Sequence, residues 1–271
     1  MASRESDKVF SGSIPKLYEE CLVPLIFQPY AEDIARRLAA RSLSRVLEIA
    51  TGTGVVTRHL ASALPASVSI VATDLNRPML DMAAKIGTSR PVEWREADAM
   101  QLPFDDAQFD AVVCQFGVMF FPDKPKAYAE ARRVLKPGGV LLFNVWDRIE
   151  ENEFADTVTR ALETRFPDDP PRFLARTPHG YHDLARVERD LQAGGFTSPA
   201  QVHTVAARSK AATARIPAFA YCQGTPLRNE IEAHADSSLA EATDLAFAAI
   251  AKRFGSGPVD GKIQAHVVAA E

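Results

Sequence analysis

Between Arg45 and Trp146 the chain alternates short apolar runs with amphipathic segments, and this alternation limits the fold more than any other feature. Arg45–Ala50 (RVLEIA), Val68–Thr73 (VSIVAT), Val92–Glu96, Phe109–Gln115 (FDAVVCQ) and Gly139–Trp146 (GVLLFNVW) read as strands. Val55–Leu64, Pro78–Ile86 and Pro125–Leu135 read as the helices between them. Strand, helix, strand at this spacing calls for βαβ crossovers and a mostly parallel sheet with helices on both faces. After residue 150 the pattern loosens. Helices over Asn152–Phe166 and Asp183–Ala193 flank a proline-rich loop at Pro167–Thr177, and Gly194 and Gly195 stop the second helix. Ala200–Ala207 and Lys262–Ala270 alternate as strands, with helical character between them from Ala211 to Phe254.

Ahead of the sheet, residues 1–12 read as a mobile polar arm and residues 13–42 as helical, with breaks or kinks expected at Pro24 and Pro29. The expected organisation is therefore an N-terminal helical segment or lid (1–42), a core (43–210 with 259–271) and a helical cap inserted over 211–258.

Bulk properties narrow the function classes. At 271 residues, 46% hydrophobic and 24% charged, the chain is an ordinary globular α/β protein that needs neither metal nor disulfides to hold its core. A net charge of −4 supplies no basic field for nucleic acid. Cys21, Cys114 and Cys222 are far apart and form no zinc spacing, so no metal is expected. No window approaches the ~18 uninterrupted apolar residues of a membrane span. With no apolar signal core near Met1, the expected location is cytoplasmic. Oligomeric state is not legible.

The most informative segment is Val46–His59 (VLEIATGTGVVTRH): a strand ending in Glu48, a tight turn carrying Gly52 and Gly54, then a helix. Glycine suits positive φ or close approach of a ligand to the main chain. The helix start offers unpaired N–H groups to an anion. A dinucleotide frame, G-x-G-x-x-G, would need a glycine where Thr57 stands. Asp74 closes the second strand, where it suits either a ribose diol or a helix cap. Asp98 suits an exocyclic amine or a loop cap, and Met100 an adenine face or the core.

Taken together, these segments resemble class I, Rossmann-like S-adenosylmethionine-dependent methyltransferases, nearest to the ubiquinone- and menaquinone-type small-molecule subgroup. EIATGTG over Glu48–Gly54 is similar to their first motif, with Ala50 where glycine is common. Asp74 and the Asp98–Ala99 pair are similar to their ribose and adenine positions. FDDAQFDAV over Phe104–Val112 and RRVLKPGG over Arg132–Gly139 resemble the segments around the fourth strand and before the fifth. The likeness is strong over residues 43–146 and weak outside.

The resemblance implies a seven-stranded sheet with the last strand antiparallel, and S-adenosylmethionine as cofactor, leaving as S-adenosylhomocysteine. Ala50, Gly52 and Gly54 would pack against its methionine part, Glu48 would place the ammonium and Gln115 would lie alongside. Asp74 would hold the ribose, Leu75 and Met100 would meet the adenine, and Asp98 and Ala99 would read its edge. Tyr18, Phe116, Trp146, Tyr221 and Gln223 are the candidates for the acceptor cavity, with core or lid packing the favoured alternative for each aromatic. The partner expected is a small-molecule methyl acceptor, and no general base is named. An NAD(P)-type oxidoreductase and a non-catalytic cofactor-binding module are the alternatives.

Overall fold

The computed structural model describes residues 7, 10, 12–234 and 238–271, so most of the expected polar arm lies outside the described residues. In chain order the elements are α1 (Ile14–Leu17), a π-helical stretch (Tyr18–Phe27), α2 (Gln28–Ala39), β1 (Arg45–Ile49), α3 (Val55–Ala63), β2 (Ser69–Asp74), α4 (Arg77–Ile86) and β3 (Glu93–Glu96). There follow β4 (Phe109–Gln115), α5 (Lys124–Val134), β5 (Leu135–Trp146), α6 (Glu153–Arg165), α7 (Phe173–Arg176) and α8 (Leu184–Ala193). The chain closes with β6 (Gln201–Ala211), α9 (Arg215–Gln223), α10 (Leu227–Glu232), α11 (Leu239–Phe254) and β7 (Val259–Ala270).

The seven strands form a sheet in the order β3-β2-β1-β4-β5-β7-β6. The strands from β1 to β5 pair in parallel. On β6 and β7, Thr204 meets His266 and Arg208 meets Asp260, a register that runs antiparallel. Chain order reverses between β1 and β4. Right-handed crossovers then put α3 and α4 on one face and α5 on the other. The crevice at such a reversal, outside the carboxyl ends of the strands, is where open α/β sheets bind ligands.

Four expectations change. Pro24 does not break the N-terminal helix; it lies inside the π-helical stretch, whose wider turn accommodates the ring and its missing N–H. Pro29 is the second residue of α2, which continues from the π-helical stretch without a gap, so it does not break the helix either. The proline-rich loop also contains one helical turn, α7, and β5 begins four residues before Gly139, at Leu135.

The chain divides into two compact units, each drawn from three separate segments. One comprises residues 28–145, 181–204 and 266–271. Its centre is β1, buried from Val46 to Ile49, with Val46 paired to Ile70 on one side and Ala111 on the other. Gly54 enters α3 at φ +83, and a Cβ there would lie 3.1 Å from Ala83 Cβ and 3.2 Å from the Trp94 ring. Both conformation and close packing therefore require glycine at that position.

The other unit comprises residues 1–27, 146–180 and 205–265. Here α11, opened by a Ser238–Glu241 capping box, packs with α6 and α9. Asp7, expected in the mobile arm, is buried: Arg176 donates to it at 2.7 Å and the Thr177 hydroxyl at 2.5 Å. Arg176 also donates to Glu230 at 2.5 Å, and Glu230 in turn accepts the N–H groups of Arg172 and Phe173 at the start of α7.

Candidate functional site

The turn after β1 is built around a buried acid. Glu48 accepts from the Thr57 hydroxyl of α3 at 2.6 Å, and Thr57 meets the Thr51 hydroxyl at 2.7 Å. Burial pushes the Glu48 carboxyl up to about 7, against the pull of these hydroxyls. Thr57 is thus the donor that holds the acid in place, where a dinucleotide frame would have had glycine. Three residues of the turn take positive φ: Ala50 (+54°), Gly52 (+58°) and Gly54 (+83°).

Asp74 links this turn to β2. Its carboxylate accepts the Gly52 N–H at 2.8 Å through one oxygen and the Asn76 N–H at 2.8 Å through the other. It is not the cap of α4, since Asn76 occupies that position. Burial raises its pKa and the N–H groups of Asn76 and Gly52 oppose the rise. The next residue, Leu75, is 52% exposed, an apolar side chain standing in water beside a buried acid.

After β3, Asp98 accepts the Met100 N–H at 2.8 Å, while the Ala97 N–H bonds back to the Asp74 carbonyl at 3.0 Å. Ala99 is buried and Met100 only half-buried, so Met100 is not a core residue. At the end of β4, Gln115 pairs in register with Asn144 of β5. Phe116 follows at φ +50 and donates its N–H to Asn144 Oδ1 at 2.9 Å; its ring meets Tyr30 edge-on at 5.2 Å.

All the cofactor candidates therefore fall in one unit, at the carboxyl ends of β1, β2, β3 and β4. Of the acceptor-side candidates, Phe116 belongs to that unit. Tyr18, Trp146, Tyr221 and Gln223 belong to the other. There Tyr18 stacks on Phe27 at 4.9 Å, Phe27 lies 6.1 Å from Trp146, and Trp146 lies 5.9 Å from His179. The His179 ring is fixed by its Nδ1 contact with the Asp147 carbonyl at 2.9 Å. Tyr221 is buried on α9, where burial raises its pKa, and Gln223 donates to the Thr243 hydroxyl at 3.2 Å.

Reading the sequence missed Thr51, Thr53, Thr57 and Asn144. The hydroxyl of Thr53, in the glycine turn, is buried and has no hydrogen-bond partner among the described residues. Asn144 carried a visible signal: it is a lone polar residue inside an apolar strand, LLFNVW.

A doubly wound sheet of this strand order, whose glycine turn at the chain reversal is clasped by the acid of the next strand, is the fold of the class I, Rossmann-like methyltransferases. Residues 47–143 match the family described as a methyltransferase domain. The chain is 44% identical over 110 residues to demethylmenaquinone methyltransferase of Deinococcus radiodurans, covering 40% of this chain and 45% of that protein. It is 38% identical over 111 residues to the ubiquinone/menaquinone biosynthesis C-methyltransferase of a Geobacter species, covering 40% and 47%. The chain thus spans about half the length of the curated relatives it matches. Among solved structures, the phosphoethanolamine N-methyltransferase 2 of Haemonchus contortus, in complex with phosphomonomethylethanolamine and S-adenosylhomocysteine, shares the fold at TM-score 0.57 and 19% identity, covering 94% of this chain and 56% of that one. Among the described residues no helix is long and apolar enough to cross a membrane.

Proposed function

We propose that the chain transfers a methyl group from S-adenosylmethionine to a small-molecule acceptor by direct displacement. The observation that carries this is the pairing of Asp74 with Leu75. A buried carboxylate with lone pairs to spare suits a ribose diol, and the half-exposed leucine beside it suits one face of an adenine. Thr53, with its buried and unpartnered hydroxyl, adds a polar atom in the turn assigned to the methionine part. The residues therefore fit the cofactor. When bound, it supplies an activated methyl group on a sulfonium.

The protein's own residues hold and orient. Asp74 takes the ribose, Leu75 and Met100 flank the adenine, Asp98 and Ala99 read its edge, and Glu48 receives the ammonium with Gln115 alongside. Positioning of this kind, with exclusion of water, is most of what a methyl displacement asks of a protein. On the acceptor side we assign Phe116 within this unit; Tyr18 of the N-terminal segment (1–42), Trp146 of the core (43–210 and 259–271), and Tyr221 and Gln223 of the helical insertion (211–258) are the further acceptor-side residues of this reading. Three cysteines without a disulfide and a net charge of −4 favour a cytoplasmic reaction on a small molecule over one on nucleic acid.

Calorimetric titration tests the reading. S-adenosylmethionine and S-adenosylhomocysteine should bind and NAD should not; binding of NAD alone would overturn it. Transfer of labelled methyl from S-adenosylmethionine to any acceptor in a small-molecule panel then separates an enzyme from an inert binding module.

A further inference from the structure

One group of the cofactor has no protein partner in the assignment above: the carboxylate of its methionine part. Besides the Thr53 hydroxyl and Arg90 Nη2, a third buried donor of the same unit is unspent among the described residues. Asn144 is fully buried near the carboxyl end of β5, and its Nδ2 has no hydrogen-bond partner among the described residues. The orientation of the amide is fixed, because Oδ1 must face the Phe116 N–H that it accepts at 2.9 Å. Nδ2 therefore points away from that bond with its hydrogens to give. Leaving a buried amide donor unused is costly.

The sheet register shows which face Asn144 presents. Phe143, its neighbour on β5, meets the Tyr128 ring of α5 at 5.4 Å, so Phe143 faces α5 and Asn144 the opposite side. Gln115 pairs with Asn144, and Val113, two residues earlier on β4, pairs with Glu48. Residues in register share a face, so Glu48, Gln115 and Asn144 all face the side of α3, where Glu48 meets Thr57. Across β1, β4 and β5 this face thus carries an acid, an amide and a second amide with a free donor. A zwitterion needs such a pair of ends: an acceptor for the ammonium and donors for the carboxylate.

We propose that Asn144 is the residue that binds the cofactor's carboxylate, its Nδ2 donating to a carboxylate oxygen while its Oδ1 holds Phe116 in the left-handed turn. This rests on the reading of the site as a cofactor site. It gives Asn144 two tasks, each using one end of the amide.

The experiment compares S-adenosylhomocysteine with its decarboxylated analogue, which keeps the adenosine, the thioether and the amine. The wild type should prefer the carboxylated ligand by about tenfold or more, as a charge-assisted hydrogen bond is lost with the analogue. Asn144→Asp keeps an acceptor for Phe116 and places a carboxylate where the donor was. Its preference should collapse toward one or invert, with affinity for the analogue retained. Asn144→Leu, which keeps no polar end, should also lose the preference even if both affinities fall. An unchanged ratio in both variants overturns the proposal. A wild type that binds neither ligand overturns the cofactor reading itself, and the proposal with it. Thermal unfolding of each variant confirms that the protein titrated is folded.

Discussion

The methyl group of Ala50 fills the space that a side chain at Gly117 would need: a Cβ at 117 would lie 2.6 Å from Ala50 Cβ and 2.6 Å from Cys114 Sγ. The two residues sit where the chain leaves β1 and β4, at the reversal of strand order, and they are matched in size. Gly117 itself has an ordinary φ of −99°, so its requirement for glycine is one of space alone. Gly117→Ala should therefore destabilise the protein by about 1–3 kcal/mol through overpacking. Ala50→Gly relieves a left-handed alanine and should stabilise by up to about 1 kcal/mol after the added chain entropy. In the double variant the Gly117→Ala penalty should shrink, and urea denaturation of all four proteins measures the coupling. Strictly additive effects would show that the two residues do not share the space.

Asp74→Ala removes the acceptor of two N–H groups and, on the proposed reading, the holder of the ribose. Affinity for S-adenosylhomocysteine should fall by roughly 1–3 kcal/mol in calorimetry. A drop in melting temperature with unchanged affinity would reduce Asp74 to a clasp for the glycine turn.

Leu75 separates binding from folding more cleanly. Because it is 52% exposed, Leu75→Ser should change stability by no more than ~0.5 kcal/mol. Affinity for S-adenosylhomocysteine should nonetheless fall about threefold to tenfold, as the apolar contact with the base is lost. Equal binding by the variant would remove Leu75 from the site.

Stability should depend on the ionisation of Glu48. Its carboxyl is raised from 4.5 to about 7 by burial, so the folded protein keeps a proton that the unfolded chain has already released. The stabilisation is complete below the lower value and is lost as pH rises through the higher one, an expected fall of about 3 kcal/mol. Asp74, also raised, contributes in the same direction. His59, lowered by burial, contributes in the opposite one. Glu48→Gln isolates the effect: between pH 4.5 and 7.5 its stability should fall less than that of the wild type. Parallel pH profiles would count against a protonated Glu48.

What could be read from the residues, and what could not, follows from the range of the interactions. The parallel sheet was legible because each strand's apolar run and each helix's spacing are local. The expected ends of Phe109–Gln115 coincide with those of β4. The π-helical stretch was not, because apolar residues at helical spacing do not reveal which hydrogen-bond register the backbone adopts around Pro24. Thr57 appeared in the sequence only as a missing glycine, since its role depends on facing Glu48 across the turn. Asp7 looked like part of a polar arm because its partners, Arg176 and Thr177, lie far along the chain. Solved structures of the same fold make a related point: at 19% identity they share the architecture, and architecture leaves the chemistry to the residues.

The buried cluster around Arg176 offers a further measurement. Arg176→Met would leave Asp7 and Glu230 buried without their cation, and removing one partner of such a group costs about 3–5 kcal/mol. Urea denaturation should show a loss of that order. A variant as stable as the wild type would mean that the carboxylates reach water or other donors without it.

The last strand has a consequence for how the protein is made. Residues 259–265 of β7 belong to one compact unit and residues 266–271 to the other, so neither is whole without it. On the ribosome the side of β5 that β7 later covers stays an open hydrogen-bonding edge until residues 259–270 have emerged. Neither unit can complete its fold before then. Until that point the nascent protein carries an adhesive border, which makes its yield in a cell sensitive to chaperone supply and translation speed.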